Sequence, residues 1–245
     1  MILPGIRSSF GRTEAAFLVW LTTRDEPEEA RDQAFARLAE EGFDVFLDDP
    51  RAANALLAGR DFSTAPEQLV FYVLVRQALL EGGMEDRVLA DYLATLLLAF
   101  GRARRAYRPD GQEAEFHYLV DILAAATAVD TERALMLQAH LGEFALWLSG
   151  LFPDHISARV RRRGAPGLDY YQDMGMRGFR AAARSRAAAE HGMDVVYEQC
   201  AASFPGLRVA LNRVADRHLF PARGDRIERL LRQVADRFDH PPDGN

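Results

Sequence analysis

The stretch Thr64–Gly101, TAPEQLVFYVLVRQALLEGGMEDRVLADYLATLLLAFG, decides the fold, because it is the most continuously apolar part of the chain. Thr64 followed three residues later by Glu67 is a capping box, and Pro66 is tolerated in a first turn, so the spacing predicts a helix from about Thr64. Leu69–Val75 is apolar on every side, as in a helix surrounded by others. Gly82-Gly83 ends it. The return helix, Glu85–Phe100, is apolar around most of its circumference and keeps a narrow stripe of Arg87, Asp91 and Thr95. An antiparallel return about Gly83 sets Arg76 level with Asp91. A buried charge without its counterpart costs several kcal/mol, so a structural ion pair Arg76–Asp91 is expected.

Working outward, the spacing predicts an all-α multi-helix bundle of about nine helices around this central antiparallel hairpin (64–101). The expected organisation is an acidic helical segment over 1–61, a helical core over 62–239 and a disordered tail over 240–245. Toward the N-terminus, Pro27–Glu41 is amphipathic and stops at Gly42, Phe43–Leu47 reads as a brief extended piece, and Arg51–Gly59 as a short helix. Toward the C-terminus, Asp110 with Glu113 forms a second capping box opening a helix to Thr127, and Asp130 caps a long helix to Ser149. From Pro153 the chain turns basic and reads as irregular through Gly167. Helices are then expected at Leu168–Ala189, Asp194–Ser203, Gly206–His218 and Asp225–Phe238.

A chain of 245 residues can bury roughly 70 to 75 per cent of its unfolded surface without a disulfide or metal staple. The single Cys200 excludes an internal disulfide and reads as a small core residue. No basic segment followed by an apolar run opens the sequence, and no apolar run approaches the ~18 residues a membrane span requires, so a cytoplasmic protein without membrane contact is expected. All thirty basic residues are arginine. The absence of lysine excludes Schiff-base chemistry and a P-loop, and together with the alanine content it is what a GC-rich, bacterial-like genome produces. The net charge of −6 is unevenly spread. Twelve acids against seven arginines fall in 1–61, and eight arginines against two acids in 156–186. Such asymmetry points to a protein partner or self-association.

Two groups of residues carry possible chemistry. His140 and Glu143 share an otherwise apolar helix face, and a turn near Val129 brings His117 and Asp121 to about the same height. Histidines and carboxylates on facing helices are how bundles hold a divalent metal, although the spacings His-x-x-x-Asp and His-x-x-Glu are not the usual Glu-x-x-His. A buried His140–Glu143 hydrogen bond that specifies packing is the preferred alternative. The second group, Arg159, Arg161, Arg162, Arg163, Arg177, Arg180 and Arg184, is interleaved with Tyr170, Tyr171 and Phe179, a composition suited to an anion. The acidic total charge and the lack of any helix-turn-helix, RRM or zinc-finger pattern argue against nucleic acid. The residues support a non-enzymatic interaction or scaffold protein best. The alternatives are a helical-bundle metalloprotein or small-ligand binder using His117, Asp121, His140 and Glu143, and a polyanion binder using 156–186.

Overall fold

The structure, a computed structural model, describes residues 1–58, 65–101, 104–109, 114–129 and 131–219. Every regular element among them is helical: α1 (Ile6–Ser9), α2 (Arg12–Thr23), α3 (Glu28–Glu41), α4 (Phe43–Asp48), α5 (Pro50–Ala58), α6 (Glu67–Leu80), α7 (Arg87–Gly101), α8 (Arg104–Tyr107), α9 (Leu119–Thr127), α10 (Thr131–Leu151), α11 (Pro153–Arg163), α12 (Leu168–Ala183), α13 (Arg186–Glu190), α14 (Asp194–Ala202) and α15 (Phe204–Val214), with a π-helical turn over Ala215–Leu219. The fold is all-α. The division is finer than nine helices, because α1, α4, α8 and α13 are single turns of four to six residues. The proposed caps Thr64, Asp110, Glu113 and Asp130, the helix Asp225–Phe238 and the tail 240–245 lie outside the described residues.

The chain forms two compact units, Pro4–Thr95 and Met1–Leu3 with the described residues from Leu96 onward. The boundary falls inside α7, so the expected break at 61/62 lies within the first unit, and the stretch 64–101 is shared between the two. Each unit therefore has its own centre. In the first, α6 packs against α1, α4 and α5, and α2 against α3 and α5. Leu69, Tyr72, Val73, Leu47 and Leu56 are all buried there. The double glycine acts as expected: Gly83 has φ +75°, the Gly83 N–H donates to Leu80 O and the Met84 N–H to Leu79 O. This is the paired bonding of a Schellman stop, which needs a residue free to take positive φ.

In the second unit α10 is central, packed against α9, α12 and α15, with α14 on the far side of α12. Phe144, Phe179, Tyr197, Phe204 and Leu211 are buried around it. The closest crossing is made by small residues: a Cβ on Gly178 of α12 would come within 2.7 Å of Gly142 N and 2.8 Å of Gln138 O. Two backbones at this distance exclude any larger residue. Gly175, one turn earlier on α12, also faces α10, where a Cβ would come within 3.1 Å of Ala145 Cβ.

Three local readings give way. Phe43–Leu47 is not extended, because α3 stops at Gly42 and a new helix starts at once. The segment from Pro153 is irregular only over 164–167: Pro153 opens α11, Asp154 sits in its first turn and Gly164 closes it after Arg163. Leu168–Ala189 is interrupted at Arg184-Ser185, dividing α12 from α13. No described helix is long and apolar enough to cross a membrane.

Candidate functional site

Arg76 is buried, at 2% exposure, as a core arginine requires a partner to be. That partner is Asp48 on α4, not Asp91. Arg76 Nε donates to Asp48 Oδ1 at 2.6 Å and Nη2 to Oδ2 at 3.0 Å, while Nη1 donates to the Glu85 carbonyl at 2.7 Å. Arg87 Nη2 also reaches Asp48 Oδ2, at 2.6 Å. Burial by itself would push the Asp48 carboxyl up, but the hydrogen bonds from Arg76 and Arg87 outweigh it and hold the group below the usual carboxylate range. One turn earlier on α4, Asp44 pairs with Arg7. Asp91 accepts the Arg7 backbone N–H at 3.1 Å. Arg76 turns away from the return helix because α4 also packs against α6 and brings Asp48 to it. Asp44 and Asp48, four apart, become one acidic face once α4 is helical.

The four proposed metal ligands are not brought together. His140 and Glu143 are buried on α10, Nδ1 to Oε2 3.9 Å, with the imidazole stacked on Phe144 at 5.8 Å and beside Phe100 at 5.6 Å. They line a small pocket of about 20 Å³ with Met136 and Pro109. His117 is 60% exposed and precedes α9 altogether, since Tyr118 is extended at the helix start, and Asp121 is exposed in the first turn. A His-x-x-x-Asp pair on one helical face therefore does not exist. Among the described residues no three His, Cys, Asp or Glu side chains are grouped so as to hold a metal ion. The His140–Glu143 separation, at 3.9 Å, is an ion-pair distance and too long for the expected hydrogen bond.

What the structure does assemble is an open cleft of about 700 Å³. Its position follows from two local arrangements. The Phe116 N–H donates to Tyr107 O at 2.7 Å and Arg108 pairs with Glu115 at 3.0 Å, which ties the two segments before α9 together. His117 is thereby laid against Tyr107, ring centroids 4.9 Å apart. The opposite wall is α11, on which His155, Arg159, Arg162 and Arg163 fall at helical spacing along one face. Phe144, Phe152, Tyr170 and Tyr171 supply further rings. Trp147 packs behind them, 5.1 Å from Phe152 and 6.3 Å from Tyr107. Burial pushes the Tyr170 phenol up.

The electrostatics are one-sided. Three arginines and two histidines line the cleft, and none of its described lining residues is Asp or Glu. Arg159, Arg162 and Arg163 make no ion pair or side-chain hydrogen bond with another described residue. Arg162 and Arg163 are in the last turn of α11, where the helix dipole favours cations, and that accounts for them without a ligand. Arg159 is a turn earlier and half-buried, and the dipole does not account for it. Of the seven arginines singled out in the sequence, Arg159, Arg162 and Arg163 thus converge on the cleft, while Arg161, Arg177, Arg180 and Arg184 are exposed and do not line it. Tyr107 and Phe152 were missed, since nothing in the linear sequence relates them to α11. No protein-family model, curated protein or solved structure matches this chain.

Proposed function

We propose that the chain is a binding protein for a small organic anion, held in the cleft between α11 and the Tyr107–His117 wall. The observation that carries this is Arg159: a half-buried arginine with no carboxylate partner among the described residues, lining a cleft rich in aromatic rings. An anionic group on the ligand would give it the charge-assisted hydrogen bonds that no described residue supplies. The volume lies within the range of ordinary ligand sites, and a few polar groups converging over rings are what such sites use to orient a ligand.

Titration with 1-anilinonaphthalene-8-sulfonate, a flat aromatic anion, tests the reading. Saturable one-site binding that weakens with salt and is lost in Arg159→Ala supports it. No saturable binding, or equal binding by the variant, overturns it.

A protein partner is a second reading, favoured by Tyr118 and Val120, which are 58% and 54% exposed and line the same cleft. An acidic peptide segment would then fill the site. Light scattering of the pure protein separates out the self-associating form of this reading, which requires a dimer at micromolar concentration.

A further inference from the structure

We infer that the anion is a nucleoside polyphosphate, its base against the aromatic rings of the cleft and its phosphates on Arg159, Arg162 and Arg163; this rests on the small-anion reading above. Three features of the cleft narrow the ligand class.

The first is charge. Arg159, Arg162 and Arg163 project from one helix within little more than a turn, and no described acid on the cleft wall neutralises them. A monocarboxylate or sulfonate balances one of the three guanidiniums, whereas a diphosphate or triphosphate balances all of them. Guanidinium also presents paired N–H donors that match phosphate oxygens two at a time.

The second is shape. Rings dominate the wall on both sides, with Tyr107 against His117 at 4.9 Å and Tyr170 edge-on to Tyr171 at 5.7 Å and 88°. Such faces suit a planar heterocycle, because stacking on a ring is available to every base. An acyl chain would instead require an aliphatic tunnel, and this cleft is open and lined largely by rings and arginines. The phenols and imidazoles add donors and acceptors within reach of a sugar.

The third is the missing carboxylate. No Asp or Glu is among the described lining residues, so none of them offers a carboxylate to share a magnesium ion. Neutralisation of the phosphates then falls on the arginines, and binding is expected to be independent of magnesium.

The test is calorimetric titration of the full chain, in EDTA, with ATP, ADP, AMP, adenosine and 1-anilinonaphthalene-8-sulfonate, with an eight-nucleotide thymidine oligomer as a competitor. The expected result is binding in the order ATP and ADP above AMP above adenosine, with displacement of the dye. Arg159→Gln and Arg162→Gln should each weaken ADP on the order of tenfold or more, as loss of hydrogen bonds to a charged group does. Arg159→Lys, which keeps the charge and loses the fork, should fall between. Unchanged circular dichroism shows that each variant is folded. If the dye binds at the Arg159 site and ATP and ADP do not displace it, the nucleotide inference is overturned and the small-anion reading stands. If neither dye nor nucleotide binds, both fall. If the oligomer outcompetes ADP, the cleft belongs to a single-strand surface and the nucleotide assignment is overturned.

Discussion

The core arginines of the first unit and the arginines that line the cleft in the second are used in opposite ways. Between Pro4 and Thr95, Arg7 is bound to Asp44, and Arg76 and Arg87 share Asp48, so guanidinium and carboxylate together tie α1, α4, α6 and α7. In the second unit α10 and α12 are in close contact at Gly142 and Gly178, Arg108 pairs with Glu115 and the buried Arg208 donates to Asn212, while Arg159, Arg162 and Arg163 have no partner among the described residues. A paired arginine explains itself as structure. An arginine that is half-buried beside a cavity and has no partner among the described residues is the stronger functional signal.

The comparison breaks most easily at Asp48. Asp48→Ala leaves the buried Arg76 without its counter-charge, and about 3–5 kcal/mol of stability should be lost, the cost of removing one partner from a buried pair. Trp20 lies in the first unit and Trp147 in the second, so urea unfolding of the Trp147→Phe background reads the first unit by fluorescence. A loss below 1 kcal/mol would mean that the pair is incidental. The same pair sets an acid dependence. Because the folded-state value of Asp48 lies below its ordinary 3.8, its contribution is present above about pH 3.8 and is lost as pH falls through the lowered folded value. In Asp48→Asn that part of the acid dependence should disappear.

The second unit should respond instead to volume. Gly178→Ala places a methyl against the Gly142 and Gln138 backbone, which cannot rotate away as a side chain could, so α10 and α12 must part. Overpacking of this kind costs about 1–3 kcal/mol. The loss should appear in the Trp147 transition, read in a Trp20→Phe background, and leave in place the Trp20 transition, read in a Trp147→Phe background. A shift of both transitions would show that the units unfold together and that the contrast between them has no energetic meaning.

Tyr72 marks an imperfection in the first unit's polar network. Its hydroxyl is buried without a hydrogen-bond partner among the described residues, and burial pushes the phenol up to about 12, against the lowering effect of Arg7 and Arg76. Tyr72→Phe keeps the ring, which stands edge-on to Phe10 at 5.6 Å, and removes the stranded oxygen. A gain of about 1 kcal/mol is expected from relieving that desolvation. A loss of similar size in thermal melts would show that the hydroxyl is bonded in solution.

Much of the fold was legible, and the misreadings have a common cause. The helical class, the stop at Gly83 and the burial of Arg76 and His140 follow from periodicity and local chemistry, which act within a few residues. What could not be read was which helix meets which. The register of an antiparallel return sets Arg76 level with Asp91, and an extended Phe43–Leu47 offers no acidic helix face to compete with it. His117 and Asp121 were placed on one helix face by assuming α9 began earlier than Leu119. The cleft was half legible: Arg159, Arg162 and Arg163 were singled out, but they were grouped with Arg177, Arg180 and Arg184, which are close in sequence and do not share the cleft. A sequence-level signal did exist. Pro153, Asp154 and Gly164 bracket a helix as a first-turn proline, a first-turn acid and a left-handed stop do, and on that helix the three arginines share a face with His155.

The smallest stability effect is the most discriminating one. Replacing Arg159 with alanine removes a charge that pairs with nothing described and that lies one turn from Arg162 and Arg163, like charges that repel at this spacing by a few tenths of a kcal/mol. The alkyl stem of Arg159 covers some apolar wall, and its loss offsets part of the relief. The two effects should leave stability within about 0.5 kcal/mol of the parent, as for substitutions that break no structural partner. Thermal melts of Arg159→Ala and Asp48→Ala side by side then separate the two uses of arginine. Should the Arg159 variant melt several degrees lower, the guanidinium is part of the scaffold after all, and the argument that its position requires an anion from outside the chain loses its foundation.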